Sequence, residues 1–446
     1  MITTKRLVAL AALASAAALT LAGCAGSSSG TDAPLGAAPS KLEGTVSLWH
    51  FFSDREAAVI QSVVDDFEKA NPGVKVDVHS GQDDTKLTTA IASGKPVDVG
   101  ISYSTDIVGS FCTSGAFADL TPYIKRDNVD MSQYPQVVRS YTEYKGTRCT
   151  LPMLADAYGL YYNKDILSQF GYSTPPKTLT ELETMAEKMT TFNADGSIKT
   201  LGFNPLMGWA ENAAAYYGPS AGAEWLNAKG EAVISQSPGW TELMEWQKAY
   251  VDKIGYDKLN KFTSGLGQEF SADNAFQTGQ VAMNLDGEWR TAFIKDQKPG
   301  LNYDTAPFPT TDTHTDLYGG GYLTGNIAGI GKGSKNKELA WALLKYLTTD
   351  TGAIVKLANG LGNVPTTKDA LSSPDLKLPA QFGTFLKVMS NEHSMTTPPS
   401  PVGAGYQQTF NDFWNTWQSG QVTDLQAGLK TVDKQINDAI ALTKGP

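Results

Sequence analysis

Apolar and polar positions change their spacing several times along this chain, and each change predicts an element. Val46-Ser47-Leu48-Trp49 reads as a strand. Asp54 then offers a helix cap, and Val59, Ile60, Val63, Val64 and Phe67 follow at helical spacing. Asn71-Pro72-Gly73 stops that helix, and Val74, Val76 and Val78 alternate as a second strand. The three elements make a βαβ unit. Asp83 or Asp84 caps a short helix through Leu87 and Ile91 to Gly94, and residues 97–101 form a third strand. Residues 151–162 are different: an apolar run whose one charge is Asp156, ended by the polar start Asn163-Lys164-Asp165. That run predicts a strand buried on both faces. Further helices are expected at 180–189, at 237–251, through Ala340, Leu343, Leu344 and Leu347, and at 425–442. Periodicity assigns Trp49, Trp246 and Trp341 to the core.

The N-terminus follows another logic. Lys5 and Arg6 precede an Ala-rich apolar stretch, Leu7 to Leu21, too short for a membrane span. Leu21-Ala22-Gly23-Cys24 then matches a bacterial lipobox. Residues 1–23 are thus expected to be a lipoprotein signal peptide, with lipid on Cys24; several acyl chains on one residue anchor stably. Residues 24–41 are a flexible Gly/Ser/Ala/Pro tether.

Removing the leader takes two of 36 basic residues and none of 46 acidic ones, so the net charge moves from −10 to −12. Such a chain, with no basic run, argues against nucleic acid and anionic membrane surfaces as partners. The remaining 423 of 446 residues exceed one core and predict two lobes. With Cys24 lipidated, Cys112 and Cys149 remain, an even pair that predicts one disulfide outside the cytoplasm; two separately buried thiols are the alternative.

Catalytic signals are few. His50, His79, His314 and His393 fall in no zinc spacing, and no cofactor or metal is expected. The glycines of 319–333 fail both nucleotide-binding patterns. Gly218-Pro219-Ser220-Ala221-Gly222 matches the serine-hydrolase elbow, yet the preceding residues look helical or loop-like where a buried strand is needed. The pattern recurs by chance at Gly26–Gly30 in the tether. A glycosidase, needing only a carboxylate pair, is a second remote alternative.

Several blocks together resemble the extracellular solute-binding proteins of ABC importers, in the maltose-binding branch of the family. They are Leu151-Pro152 with Leu160-Tyr161-Tyr162-Asn163-Lys164-Asp165, Phe117 to Ile124, Pro175-Pro176-Lys177-Thr178, Ser334 to Glu338 and Asn363-Val364-Pro365-Thr366. The most specific runs Phe276, Gly279, Ala282, Met283, Gly287 and Trp289. Val97 stands where the family's third strand usually has Pro. The resemblance implies an α/β fold of two lobes, with a hinge and an interlobe ligand cleft. Lobe one is expected at 42–155 plus 305–349, and lobe two at 156–304 plus 350–446. It further implies a monomer, held outside the cytoplasm by the Cys24 lipid, that delivers its ligand to a membrane permease and is not an enzyme.

The expected ligand is a sugar or oligosaccharide. Nine Trp and eighteen Tyr supply rings for the apolar face of a pyranose, while Asp, Asn and Gln meet its hydroxyls. Glycerol phosphate or its diesters are the alternative, but the candidate loops offer only Arg55 and Arg290 to a phosphate. Candidate ligand residues come from loop ends that match the family's contact positions. After the first three strands these are His50, Phe51, Phe52 and Ser53, then Gln82 and Asp83, then Tyr103 and Ser104. Asp156 marks the crossover. Trp209, Asn212, Asp286, Glu288 and Trp289 come from lobe two, and Gly320, Gly321 and Tyr322 from the return.

Overall fold

Ten strands carry the architecture of the computed structural model, which describes residues 35–443. They are β1 Gly44–His50, β2 Val74–His79, β3 Val99–Ser102, β4 Leu151–Asn163, β5 Thr191–Phe192, β6 Ile198–Phe203, β7 Val281–Gly287, β8 Tyr303–Ala306, β9 Leu323–Ile330 and β10 Val364–Pro365. The signal peptide, Cys24 and most of the tether lie outside the described residues. Among those described, no helix is long and apolar enough to cross a membrane.

β4 is the joint of the molecule. Its first half, Leu151–Ala157, pairs antiparallel with β9, and Leu154–Ala155 also pair with β10. Its second half, Tyr158–Asn163, pairs with β7 and β8. On one side the order continues β9-β3-β1-β2, with β1 parallel to both β2 and β3. On the other it continues β7-β6-β5. Two sheets thus share one thirteen-residue strand, which is the two-lobed α/β fold. Neighbours lie on both sides and layers cover both faces, so all of β4 but Tyr162 is buried. Gly159 stands among the β4 tyrosines for a steric reason. A Cβ there would lie 2.9 Å from Ala306 O and 3.1 Å from the Phe385 ring.

The elements follow their sequence signals closely. Helix Asp54–Ala70 buries Ile60, Val63, Val64 and Phe67. Its cap is Ser53 rather than Asp54, which is the first helical residue and is held at φ +47°. Asp83, not Asp84, caps helix Asp84–Ala92 by accepting from Lys86 N at 2.9 Å. Thr178 caps Leu179–Met189, and Glu181 reaches back to Lys177 N at 2.7 Å. Trp341 is buried, with Nε1 bonded to Asp127 at 2.8 Å. Trp49 and Trp246 are half-buried against apolar clusters. Helix Thr351–Leu361 packs on Asp54–Ala70, where Lys356 Nζ donates to Ser62 O at 2.9 Å. Cys112 and Cys149 are bonded, with Cα atoms 5.4 Å apart.

Ser220 sits in a turn that follows helix Ala214–Tyr217, not a strand. Its hydroxyl donates to Tyr217 O at 2.7 Å, so the pattern forms no nucleophile elbow.

Candidate functional site

Where β4 passes from one sheet to the other, a cavity of about 590 Å³ opens beside it. Asp156 forms its floor. The β4–β9 register sets Asp156 opposite Thr324 and Leu154 opposite Asn326, which puts Asp156, Thr324 and Asn326 on one face. All three line the cavity, with Asn363 from the segment before β10.

The floor is a network rather than a lone charge. Asp156 Oδ1 accepts from Asn363 Nδ2 at 2.6 Å, and Oδ2 accepts from Asn326 Nδ2 at 3.4 Å. Asn363 Nδ2 also reaches Glu288 Oε1 at 2.9 Å, and Ala157 N donates to Glu288 Oε2 at 2.8 Å. Burial pushes Asp156 up to about 7, against the pull of bonds from Glu288 and Asn363. Burial and the Asp156 charge hold Glu288 well above the carboxylate range. Two carboxyl groups this close titrate as a pair rather than singly.

Rings make the walls. Tyr158 stacks on Tyr216 with centroids 4.1 Å apart, and Trp289 meets Tyr158 edge-on at 5.4 Å. Tyr322 lies 5.1 Å from Tyr216. Across from them Phe51 packs edge-on to Tyr103 at 5.6 Å, and Tyr103 is half exposed. The Gly-x-Trp pattern has a physical cause here. The Trp289 ring folds back over Gly287, where a Cβ would lie 2.3 Å from it.

Eight of the residues expected from sequence line this cavity: Phe51, Phe52, Ser53, Tyr103, Ser104, Asp156, Trp289 and Tyr322. The others lie outside the lining, each with a local reason. His50 is wholly buried, packs on Phe52 and is pushed down to about 4 by burial. Gln82 donates to Ser80 O, and Asp83 is spent as a helix cap. Asn212 donates to Asn204 O and Leu206 O and accepts from Tyr217, which makes it a loop brace. Trp209 packs against the Leu206 and Val251 cluster. Asp286 faces the Arg290 guanidinium at 2.7 Å, and Glu288 stands behind Asp156. Gly320 and Gly321 pack against His393 and Val388.

Other lining residues were not expected to contact ligand, although Asn363 opens a motif block and Arg55 was a candidate for phosphate. Tyr158 sits in a strand that reads as core, and Tyr216 in a stretch that reads as helix or loop. Glu211, Asn363 and Gln407 are single polar residues in loops or helices far apart in the chain. Glu211 follows Ala210, a non-glycine held at φ +47°. Its carboxylate lies with those of Glu269 and Asp286, all within 4.8 Å of one another. That is a cation-ligating spacing, although Arg290 already supplies one fixed positive charge there.

Comparison with known proteins agrees with this geometry. A family model described as "Bacterial extracellular solute-binding protein" matches residues 53–354. A maltotriose-binding protein of Pyrococcus abyssi (strain GE5 / Orsay) is 26% identical over 408 residues, covering 88% of this chain and 82% of that one. A maltodextrin-binding protein of Bacillus subtilis (strain 168) is 25% identical over 423 residues, 91% of each chain. The structure of CpMnBP1 with mannotriose bound superposes with a TM-score of 0.79 at 26% identity, over 88% of this chain and 99% of that one. Fold, cleft and matched span agree, and the chain belongs to the bacterial extracellular solute-binding proteins.

Proposed function

We propose that this protein is the capture component of an ABC importer, binding a sugar or short oligosaccharide in the cavity beside β4 and handing it to a membrane permease. One observation carries the reading: aromatic faces and a carboxylate–amide floor share one cavity of about 590 Å³. That is the pairing a pyranose needs, since its C–H face packs on rings while its hydroxyls bond the floor. The names of the relatives support the same ligand class.

The lining weighs against glycerol phosphates. It holds Asp54, Glu56, Asp106, Asp156 and Glu211 but only one basic side chain, Arg55. Ligand contact is assigned to the eight lining residues expected from sequence, joined by Tyr158, Tyr216 and Glu211. Closure follows from differential contact: a ligand touching both lobes favours the state in which both reach it. The contact between helix Thr351–Leu361 and Asp54–Ala70 supports a return to lobe two after residue 361. The protein acts as an extracytoplasmic monomer anchored through lipid on Cys24, and as a binder rather than a hydrolase.

A thermal-shift and calorimetric screen over neutral mono- to trisaccharides and glycerol phosphates tests this. Binding at 100 times the dissociation constant adds about 2.7 kcal/mol to stability. Stabilisation by glycerol phosphates alone, or turnover of an ester or glycoside lost in Ser220→Ala, would overturn it.

A further inference from the structure

The cavity has an excess of acceptors as well as an excess of negative charge. Its one guanidinium is committed: Arg55 Nη1 donates to Gly360 O at 2.5 Å, Nη2 lies 3.4 Å from Glu56, and Nε lies 3.4 Å from Asp296. The amide donors are committed too. Asn363 serves Asp156 and Glu288, and Gln407 Nε2 serves Asp106 at 2.7 Å. Asn326, only 4% exposed, gives its Nδ2 to Asp156 and has no partner for Oδ1. Among the described residues Trp289 Nε1 is a buried donor without a partner, but the five lining carboxyl groups and Asn326 Oδ1 outnumber it as acceptors.

The imbalance is greatest at Glu211. Three carboxylates meet there and one guanidinium serves them: Arg290 Nε lies 2.7 Å from Asp286, and its Nη2 lies 3.6 Å from Glu269. The carboxyl oxygens of Glu211 and Glu269 lie within 4.8 Å of each other. Burial, with the charges of Glu269 and Asp286, holds Glu211 well above the carboxylate range. Its field also reaches the stacked rings of Tyr158 and Tyr216, and Trp289 stands edge-on to the first of these.

We propose that the cavity selects a saccharide bearing a protonated amine, with the ammonium placed against Glu211 beside the rings of Tyr216, Tyr158 and Trp289. This deepens the carbohydrate reading and rests on it. An ammonium brings three donors and one positive charge. It therefore satisfies spare acceptors, adds a second positive charge to a carboxyl cluster that Arg290 alone serves, and is attracted to ring faces. A hydroxyl supplies a donor but no charge. A uronic acid or phosphate ester supplies more acceptors and more negative charge.

Calorimetry on the purified protein tests it with maltotriose and mannotriose. Each is compared with derivatives carrying one amino group on either terminal ring, and with the matching uronic acid. At low salt the better amino derivative is expected to bind about tenfold tighter than its neutral parent, and the uronic acid least well. Added salt should shrink the advantage. Glu211→Gln should bring the amino-to-neutral ratio near one, and Glu211→Asp should retain part of it. A neutral parent that binds as tightly as both amino derivatives overturns the inference and leaves the carbohydrate reading standing. So does a ratio that survives Glu211→Gln. Calcium chloride that alone raises the melting midpoint and blocks the amino derivative would assign the triad to a metal instead. Absence of binding by every saccharide would remove the carbohydrate reading itself.

Discussion

Trp289 and Asp156 are more than a hundred residues apart in sequence and line one cavity. Trp289→Ala should weaken sugar binding by roughly 1–3 kcal/mol, the scale of a buried aromatic face, as read by titration calorimetry. Asp156 is a different case, because its bonds to Asn363, Asn326 and Glu288 exist without ligand. Asp156→Ala should therefore cost the ligand-free protein about 1–3 kcal/mol as well as weakening binding, since Asn363 and Asn326 lose an acceptor. Asp156→Asn carries a pH signature. The folded value, about 7, lies above the ordinary 3.8, so between them the folded state holds more protons. The stability this group contributes is full below 3.8 and lost as pH rises through 7. His50, pushed down to about 4, acts with opposite sign: its contribution is lost as pH falls from 6.5. The wild-type profile mixes the two, but subtracting the Asp156→Asn profile removes His50. The difference in melting temperature should favour wild type most at pH 4 and shrink by pH 8. A difference flat across that range would return Asp156 to an ordinary carboxylate. The residue roles were only partly legible beforehand. Asp156 stood out as the one charge in an apolar run, but nothing in the local sequence says that Asn363 and Glu288 bond it.

At the scale of elements, β4 was the most legible part of the chain, because burial on both faces removes the polar alternation an exposed strand would show. Gly159→Val should disrupt it, since the added side chain meets Ala306 O and the Phe385 ring. A fall of several degrees in melting temperature is expected, by circular dichroism. The Cys112–Cys149 bond spans a sequence separation of 37 and holds helix Val108–Ser114 to the segment entering β4. Replacing both cysteines by Ser should lower stability by about 3–4 kcal/mol on the chain-entropy model, as a shift of the urea midpoint. Two free thiols in the non-reduced protein would contradict the bond. Helix caps were less legible than helix bodies. Asp54 and Ser53 both suit a cap, and the turn into the cavity decides between them.

At the scale of the whole molecule, two sheets sharing one strand make the cleft, and closure around a sugar should reduce the radius of gyration in solution scattering. Ligand-bound and ligand-free curves that coincide would place the protein in one state throughout. The sequence by itself determined the order of elements, the crossover strand, the family and the aromatic character of the site, because periodicity and short motifs are local properties of a chain. Only the tertiary structure decided which side chains meet. His50, Asn212 and Asp286 were expected to face ligand, yet in the fold His50 is buried against Phe52, Asn212 braces a loop and Asp286 faces Arg290. Glu211, Tyr216 and Asn363 reach the cavity from distant segments. Which face a side chain presents depends on register and on what packs behind it. Both are set by contacts between residues far apart in the chain, which no local pattern records.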